Sequence, residues 1–307
     1  KFIMHYKITY PCMPWELDHA LLSFTQFKKS KYYLDGEDTI EINPSLNLSS
    51  YLINWEKSKI SKDLLISRFN QYLKLLEGYK VTPIIYEGDE LYGHLDHQRD
   101  AMSSEVDFYI SVCPDMYFSE HLLPLLINSS KQIDTKYFVL TPEIYKMWDN
   151  TWDEITNQDY LDVPYEEWNK GDIFDIRSNM KNSEKGVTLE TTMRSKWAGW
   201  FDLFNKEMYE NLVPIQKDWN GYGPWDWYSL MITEACKKNK VDFQQYILRG
   251  QTIFEYPIGP LLDGGYTKMY KDLLHLNEIP DQRKSFEFNM PQYVNDGVKR
   301  LKEKGIL

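Results

Sequence analysis

Residues 103–123 read SSEVDFYISVCPDMYFSEHLL, and this stretch decides how the rest of the chain is organised. Residues 106–112 form an apolar run of the kind that fills a strand buried on both faces. The run breaks at Pro114, and Asp115 follows at the C-terminal end of the expected strand. A helical pattern takes over at 119–127. Strand, short turn, helix is the unit from which doubly wound α/β sheets are built. In such sheets ligands lie beyond the C-terminal ends of the strands. Asp115 therefore stands where a carboxylate can hold a divalent cation whose remaining ligands are phosphate oxygens and water.

Strands and helices alternate outward from this unit. Residues 1–10 read as a strand broken by Pro11 and Pro14, followed by an amphipathic helix over 15–28. Residues 38–43 form a short strand ended by Pro44. Ser61 caps a helix that stops at Gly78. A strand over 79–86 and a helix over 97–104 lead back to the opening stretch. Beyond it a strand is expected over 137–141 and again over 196–201, with helices over 204–212 and 226–238. Residues 150–185 carry no strong period and read as loop and irregular helix over an acceptor side. The fold class is α/β, a Rossmann-like mixed sheet flanked by helices with a C-terminal acceptor-side region. Residues 1–116 read as a nucleotide-binding half and 117–275 as an acceptor-binding, catalytic half sharing one sheet. Residues 276–307 read as a charged peripheral segment.

Composition narrows the chemistry. The 307 residues are 42% hydrophobic, enough for a large core, and the formal net charge is −11. A protein that grips nucleic acid by its backbone needs a basic stripe, and none is visible. An acidic chain that binds a nucleoside diphosphate must neutralise it locally, and a cation held by carboxylates does so. The 23 Tyr and 10 Trp supply flat apolar faces with polar edges, suited to cores, sugar rings and bases alike. Three widely spaced cysteines, Cys12, Cys113 and Cys236, form no zinc pattern and point to a reducing, cytoplasmic setting. Sequons at Asn47 and Asn128 are weak hints of the opposite. No apolar run has the length of a membrane span, although a chain starting at Lys1 leaves a trimmed anchor open. His94 and His97 have zinc-like spacing without a third ligand.

The turn at Cys113-Pro114-Asp115 resembles the DxD region of GT-A glycosyltransferases, particularly family-2-like enzymes, with Cys113 in the place of the first acidic residue. The resemblance implies that Asp115 binds Mn²⁺ or Mg²⁺ through the phosphates of a nucleotide-sugar donor, and that Cys113 lies beside the donor. The Arg99-Asp100 step just upstream matches an Arg-Asn or Arg-Asp step in the same family. Arg99 there either pairs with donor phosphates or holds the metal-site loop. A second stretch, residues 195–235, resembles the family's small-residue strand followed by a Gly-rich turn and a helix. Gly199 and Trp200 fall at the close approach to the donor. Gly221 and Gly223 bracket the turn, and Asp226 matches the acidic residue that takes the proton from the acceptor hydroxyl. Trp225 stands where many relatives carry Glu. Trp200, Trp219, Trp225 and Trp227 cluster about the turn, two or more of them for packing and the others as sugar platforms.

By the same resemblance Thr9, Tyr10, Pro11 and Asn43 line the nucleoside pocket. His275 is a late metal ligand and Lys268 a late diphosphate contact. The implied activity is an inverting, metal-dependent transfer of a sugar to an acceptor of unassigned class. Two rival readings are weaker. A sugar nucleotidyltransferase needs a Gly-rich or basic loop after the first strand, where this chain has YPCMPWELD. A non-catalytic nucleotide- or carbohydrate-binding relative would have lost its metal chemistry with Cys113.

Overall fold

A computed structural model describes residues 3–145, 187–192, 200–219, 225–255, 270, 272–278 and 282–307. Ten strands form one mixed sheet: β1 (His5–Cys12), β2 (Thr39–Asn47), β3 (Lys80–Val81), β4 (Ile84–Tyr86), β5 (Phe108–Val112), β6 (Met116–Tyr117), β7 (Tyr137–Tyr145), β8 (Thr188–Thr191), β9 (Phe201–Asn205) and β10 (Phe243–Glu255). Their order is β3-β2-β1-β5-β9-β7-β10-β6, with β4 beside β2 and β8 beside β10. The sheet spans both halves of the chain. β1, β2 and β5 run parallel, as do β7 and β10, while β9 lies antiparallel between β5 and β7. The chain leaves β1 in one direction to reach β2 and in the other to reach β5. The switch point of the sheet therefore lies between β1 and β5, and a crevice opens beyond their C-terminal ends.

Side chains alternate between two cores, as strand geometry requires. On β7, Phe138 and Leu140 join one cluster with Phe24, Phe27 and Phe118, while Val139 and Tyr137 join the other with Phe204, Trp219 and Tyr228. Helix α1 (Leu17–Ser30) belongs to the first cluster, and α2 (Lys62–Leu73) supplies Leu65 and Phe69 to it. Ser61 caps α2 as expected, its side chain accepting from the Leu64 N–H at 3.2 Å. Helices α3 (His94–Met102), α5 (Trp225–Lys238) and α6 (Gln282–Glu303) supply residues to the second cluster, and α4 (Leu122–Ser130) packs in the first.

Several expectations are corrected. Pro11 and Pro44 do not end their strands: β1 runs on to Cys12 and β2 to Asn47. Pro11 pairs with β2 after the last β5 partner, at Thr9, and Pro44 falls in the gap between the β3 and β4 partners. A missing N–H removes no ladder bond where one neighbour is already absent. The helix expected over 204–212 begins two residues later: β9 ends at Asn205, residues 206–207 are helical and a π-helical turn, Met208–Leu212, follows. The strand expected over 196–201 begins at Phe201, and residues 196–199 lie outside those described, as do 150–185. The C-terminal segment, expected as a tail or a peripheral helix, is the helix α6. Leu301 is fully buried in the second core, and Arg300 donates to the carbonyls of Asn211 and Leu212 at 2.7 and 2.8 Å. Among the described residues no helix is long and apolar enough to cross a membrane.

Candidate active site

The tip of β5 organises the site. The ladder between β5 and β9 continues one step past Val112, with the Cys113 N–H donating to the Trp200 carbonyl at 3.0 Å. Pro114 then turns the chain, and Asp115, half-buried, follows just past the C-terminal end of β5. Tyr10 supports this turn from below. It is fully buried, with its hydroxyl 3.1 Å from Ser23 Oγ of α1 and 3.5 Å from the Pro114 carbonyl. Tyr10 is thus a strut under the turn, which corrects its expected place in a nucleoside pocket.

Carboxylates converge on this tip. The Cys113 thiol is pushed well up, first by burial and then by the negative charges of Asp115, Asp226, Glu16 and Asp202, all near enough to act on it. Asp115 and Asp226, 111 residues apart in sequence, both lie near enough to Cys113 to raise its thiol. Asp115 Oδ1 is buried without a hydrogen-bond partner, and burial raises the carboxyl to about 6, against a smaller opposing pull from its own backbone N–H. Asp226 lies in the first turn of α5 and keeps an open face to solvent. The protein packed around it still lifts its carboxyl to about 7 by excluding water, while water on the open face works against that lift. Burial raises both carboxyls, and Glu16 and Asp202 also lie near Cys113.

Glu16 and Asp202 were not singled out from the sequence. Glu16 follows β1 and accepts from the Met13 N–H at 3.0 Å, and Asp202 is buried on β9 opposite Ser111. Each follows within two residues of a tryptophan in a stretch already examined, WEL and WFD, and only the sheet register brings them to β5.

The hydrogen bonds of Arg99 go to Asp96 and to residues 216–219, and not to the Cys113-Pro114-Asp115 turn it was expected to hold. Both terminal nitrogens reach the Trp219 carbonyl at 2.7 Å, and they also contact the carbonyls of Gln216 and Lys217 and the Asp96 carboxylate. It clasps residues 216–219, ahead of α5. Its neighbour Asp100 accepts from the Tyr86 hydroxyl at 2.8 Å. His94 and His97 are core histidines. His97 Nε2 lies 2.8 Å from the Asn43 carbonyl, and burial pushes both rings down to about 4, so both are neutral at pH 7.

Thr9, Pro11 and Asn43 are buried along the β1 and β2 ends of the crevice, and Asn43 Oδ1 has no hydrogen-bond partner. Trp200 is buried against the first core. Gly199, Gly221, Gly223 and Lys268 lie outside the described residues. His275 is exposed, and its carbonyl accepts from the Asn54 N–H at 2.7 Å. Among the described residues no three His, Cys, Asp or Glu side chains gather into a ready-made metal cage. A cavity of about 260 Å³, lined by Tyr33, Asp38 and Ile40 among others, sits at the start of β2, away from the strand tips where the carboxylates converge.

No family model and no curated protein sequence matches the chain. Solved structures resemble it loosely. GalNAc-T7 with UDP, GalNAc and Mn²⁺ aligns at a TM-score of 0.49 and 9% identity over 99% of this chain, which spans 57% of that one. S. aureus TarS in complex with UDP-GlcNAc aligns at 0.43 and 11% identity, covering 97% of this chain and 72% of that one. M. tuberculosis glucosyl-3-phosphoglycerate synthase aligns at 0.41 and 9% identity, covering 87% and 78%. Likenesses this distant carry no argument about activity. What the chain itself displays is a mixed α/β sheet flanked by helices.

Proposed function

We propose that this chain is a glycosyltransferase of the GT-A type, moving a sugar from a nucleoside-diphosphate donor to an acceptor hydroxyl with inversion. The observation that supports it most is the convergence of Asp115 and Asp226 about the tip of β5. Each acid comes from one of the two motifs that resemble the family.

The residues fit a divalent cation. Asp115 offers a buried, unpartnered oxygen, and one protein carboxylate suffices when diphosphate and water supply the other ligands. His275 is exposed and lacks two further ligand-type side chains around it among the described residues, so this reading gives it at most a subordinate part. A bound Mn²⁺ or Mg²⁺ would neutralise charge on the departing diphosphate.

The chain's own residues do the rest. Asp226 accepts the proton of the acceptor hydroxyl as its oxygen bonds to the anomeric carbon, and the bond from that carbon to the diphosphate oxygen breaks. A carboxyl near pH 7 in affinity is matched to this task, being largely free to take a proton just above neutrality. Arg99 holds the segment before Asp226 in place. Tyr10 holds the turn that presents Asp115.

The test is turnover of a panel of nucleotide sugars, beginning with UDP-GlcNAc and UDP-GalNAc, with and without MnCl₂. Metal-dependent hydrolysis or transfer is expected, and Asp115→Ala is expected to lower it at least about 100-fold. Full metal-free activity in Asp115→Ala would remove the mechanism.

A further inference from the structure

The four tryptophans around the 219–227 region separate cleanly. Trp200, Trp219 and Trp225 are 9%, 0% and 2% exposed, whereas Trp227 is 68% exposed. Among the described residues it is the one exposed tryptophan. On α5 the residues Trp225, Tyr228, Ser229, Ile232 and Thr233 turn inward. Asp226 and Trp227 turn outward together, and Met231, four residues on and 48% exposed, extends the same face. An indole held in water beside a general base loses apolar contact and gains nothing within the fold. Its flat face suits the C–H face of a ring, and its N–H suits a hydroxyl.

Charge limits what can stack there. Asp226, Asp115, Asp202 and Glu16 all lie near Cys113 at the neighbouring strand tip, Asp218 and Lys217 are both exposed on the segment before α5 and offset each other, and the whole chain carries −11. Arg99, the guanidinium clasping that segment, is engaged by Asp96 and three backbone carbonyls. An anionic acceptor would be repelled, and each like charge brought near this crevice is unfavourable. A lipid tail would need a continuous apolar groove, while this face offers one indole and one thioether.

We infer that the acceptor is an uncharged carbohydrate whose ring stacks on Trp227 and extends toward Met231, presenting a hydroxyl to Asp226. The inference rests on the sugar-transfer reading for its consequence, and its binding test stands independently. Methyl glycosides of glucose, galactose, mannose and N-acetylglucosamine are compared with the same sugars carrying a 6-phosphate. In transfer assays a neutral glycoside is expected to show a KM at least about tenfold below that of its phosphate. Trp227→Ala is expected to raise the neutral glycoside's KM roughly tenfold, with most of the loss recovered in Trp227→Phe. Tyr32→Ala, which removes an aromatic 83% exposed on a distant element, is expected to leave that KM unchanged. Preference for the phosphorylated sugars, transfer to a Ser/Thr peptide in place of any glycoside, or an unchanged KM in Trp227→Ala would overturn the inference.

The same glycosides are titrated against tryptophan fluorescence in the wild type and Trp227→Phe without donor. A saturable change present only in the wild type supports stacking, and its absence with every neutral glycoside overturns it. If no nucleotide sugar is ever consumed, the transfer reading fails while this titration still decides the stacking.

Discussion

Asp226 shows how one side chain can trade stability for chemistry. Its folded-state carboxyl is raised to about 7 by the protein packed around it, against about 3.9 in an unfolded chain. The folded state thus binds the proton more tightly than the unfolded state. That contribution to stability is full below about pH 4 and is lost as pH rises toward 7. Asp226→Asn removes the charge while keeping the shape. Its melting temperature at pH 7.5 is expected to exceed that of the wild type, with a flatter dependence between pH 4 and 7, as thermal unfolding across a pH series will show. Transfer should fall by about 100-fold or more in the same variant, because the amide cannot take a proton. Wild-type transfer should rise with pH through about 7 as the carboxylate becomes free. A variant that is more stable and still fully active would deny Asp226 its role.

At the scale of elements, α5 carries the candidate base and is held from two directions. Arg99 of α3 clasps residues 216–219 ahead of it. Arg99→Ala leaves buried carbonyls without their donor, which costs about 1–3 kcal/mol per unsatisfied group at the upper end. A lower melting temperature is expected together with a drop in kcat, since the segment leading to Asp226 loses its clasp. Arg99→Lys should recover little, because an ammonium cannot span the same fork of acceptors. From the other side α6 presses on α5. A Cβ at Gly297 would meet Tyr228 Oη at 2.5 Å and Ile232 Cδ1 at 2.8 Å, and Tyr228 is itself tied to Arg300 at 3.3 Å. Gly297→Ala is expected to destabilise by about 1–3 kcal/mol through overpacking, less any gain in helix propensity, measurable by urea unfolding.

At the scale of the whole molecule, the charge of −11 acts on fold and site together. Self-repulsion in an acidic chain opposes the compact state, and salt screens it over about 10 Å at 0.1 M. The melting temperature at pH 7.5 is expected to rise as NaCl goes from about 0.01 to 0.15 M. A downward trend would mean that favourable ion pairs such as Lys80–Glu41, at 2.7 Å, and Arg249–Glu190, at 2.7 Å, outweigh the repulsion.

The local pattern was enough for the architecture. A buried strand followed by Pro114-Asp115, and a helix beginning near Asp226, are readable because apolar periodicity and turn residues act over a few positions. The same reasoning misplaced the ends at Pro11 and Pro44, because whether a missing N–H matters depends on which neighbour lies alongside. It also started the 204–212 helix two residues early, since only pairing with β5 and β7 shows that Phe204 and Asn205 end a strand. Only the tertiary structure brought Asp115 and Asp226 near Cys113, added Glu16 and Asp202, turned Tyr10 beneath the turn and engaged Arg99 with backbone carbonyls. Those arrangements arise from contacts between residues far apart in the chain, and the energy of such contacts is set by sheet register and burial, which no short window of residues contains.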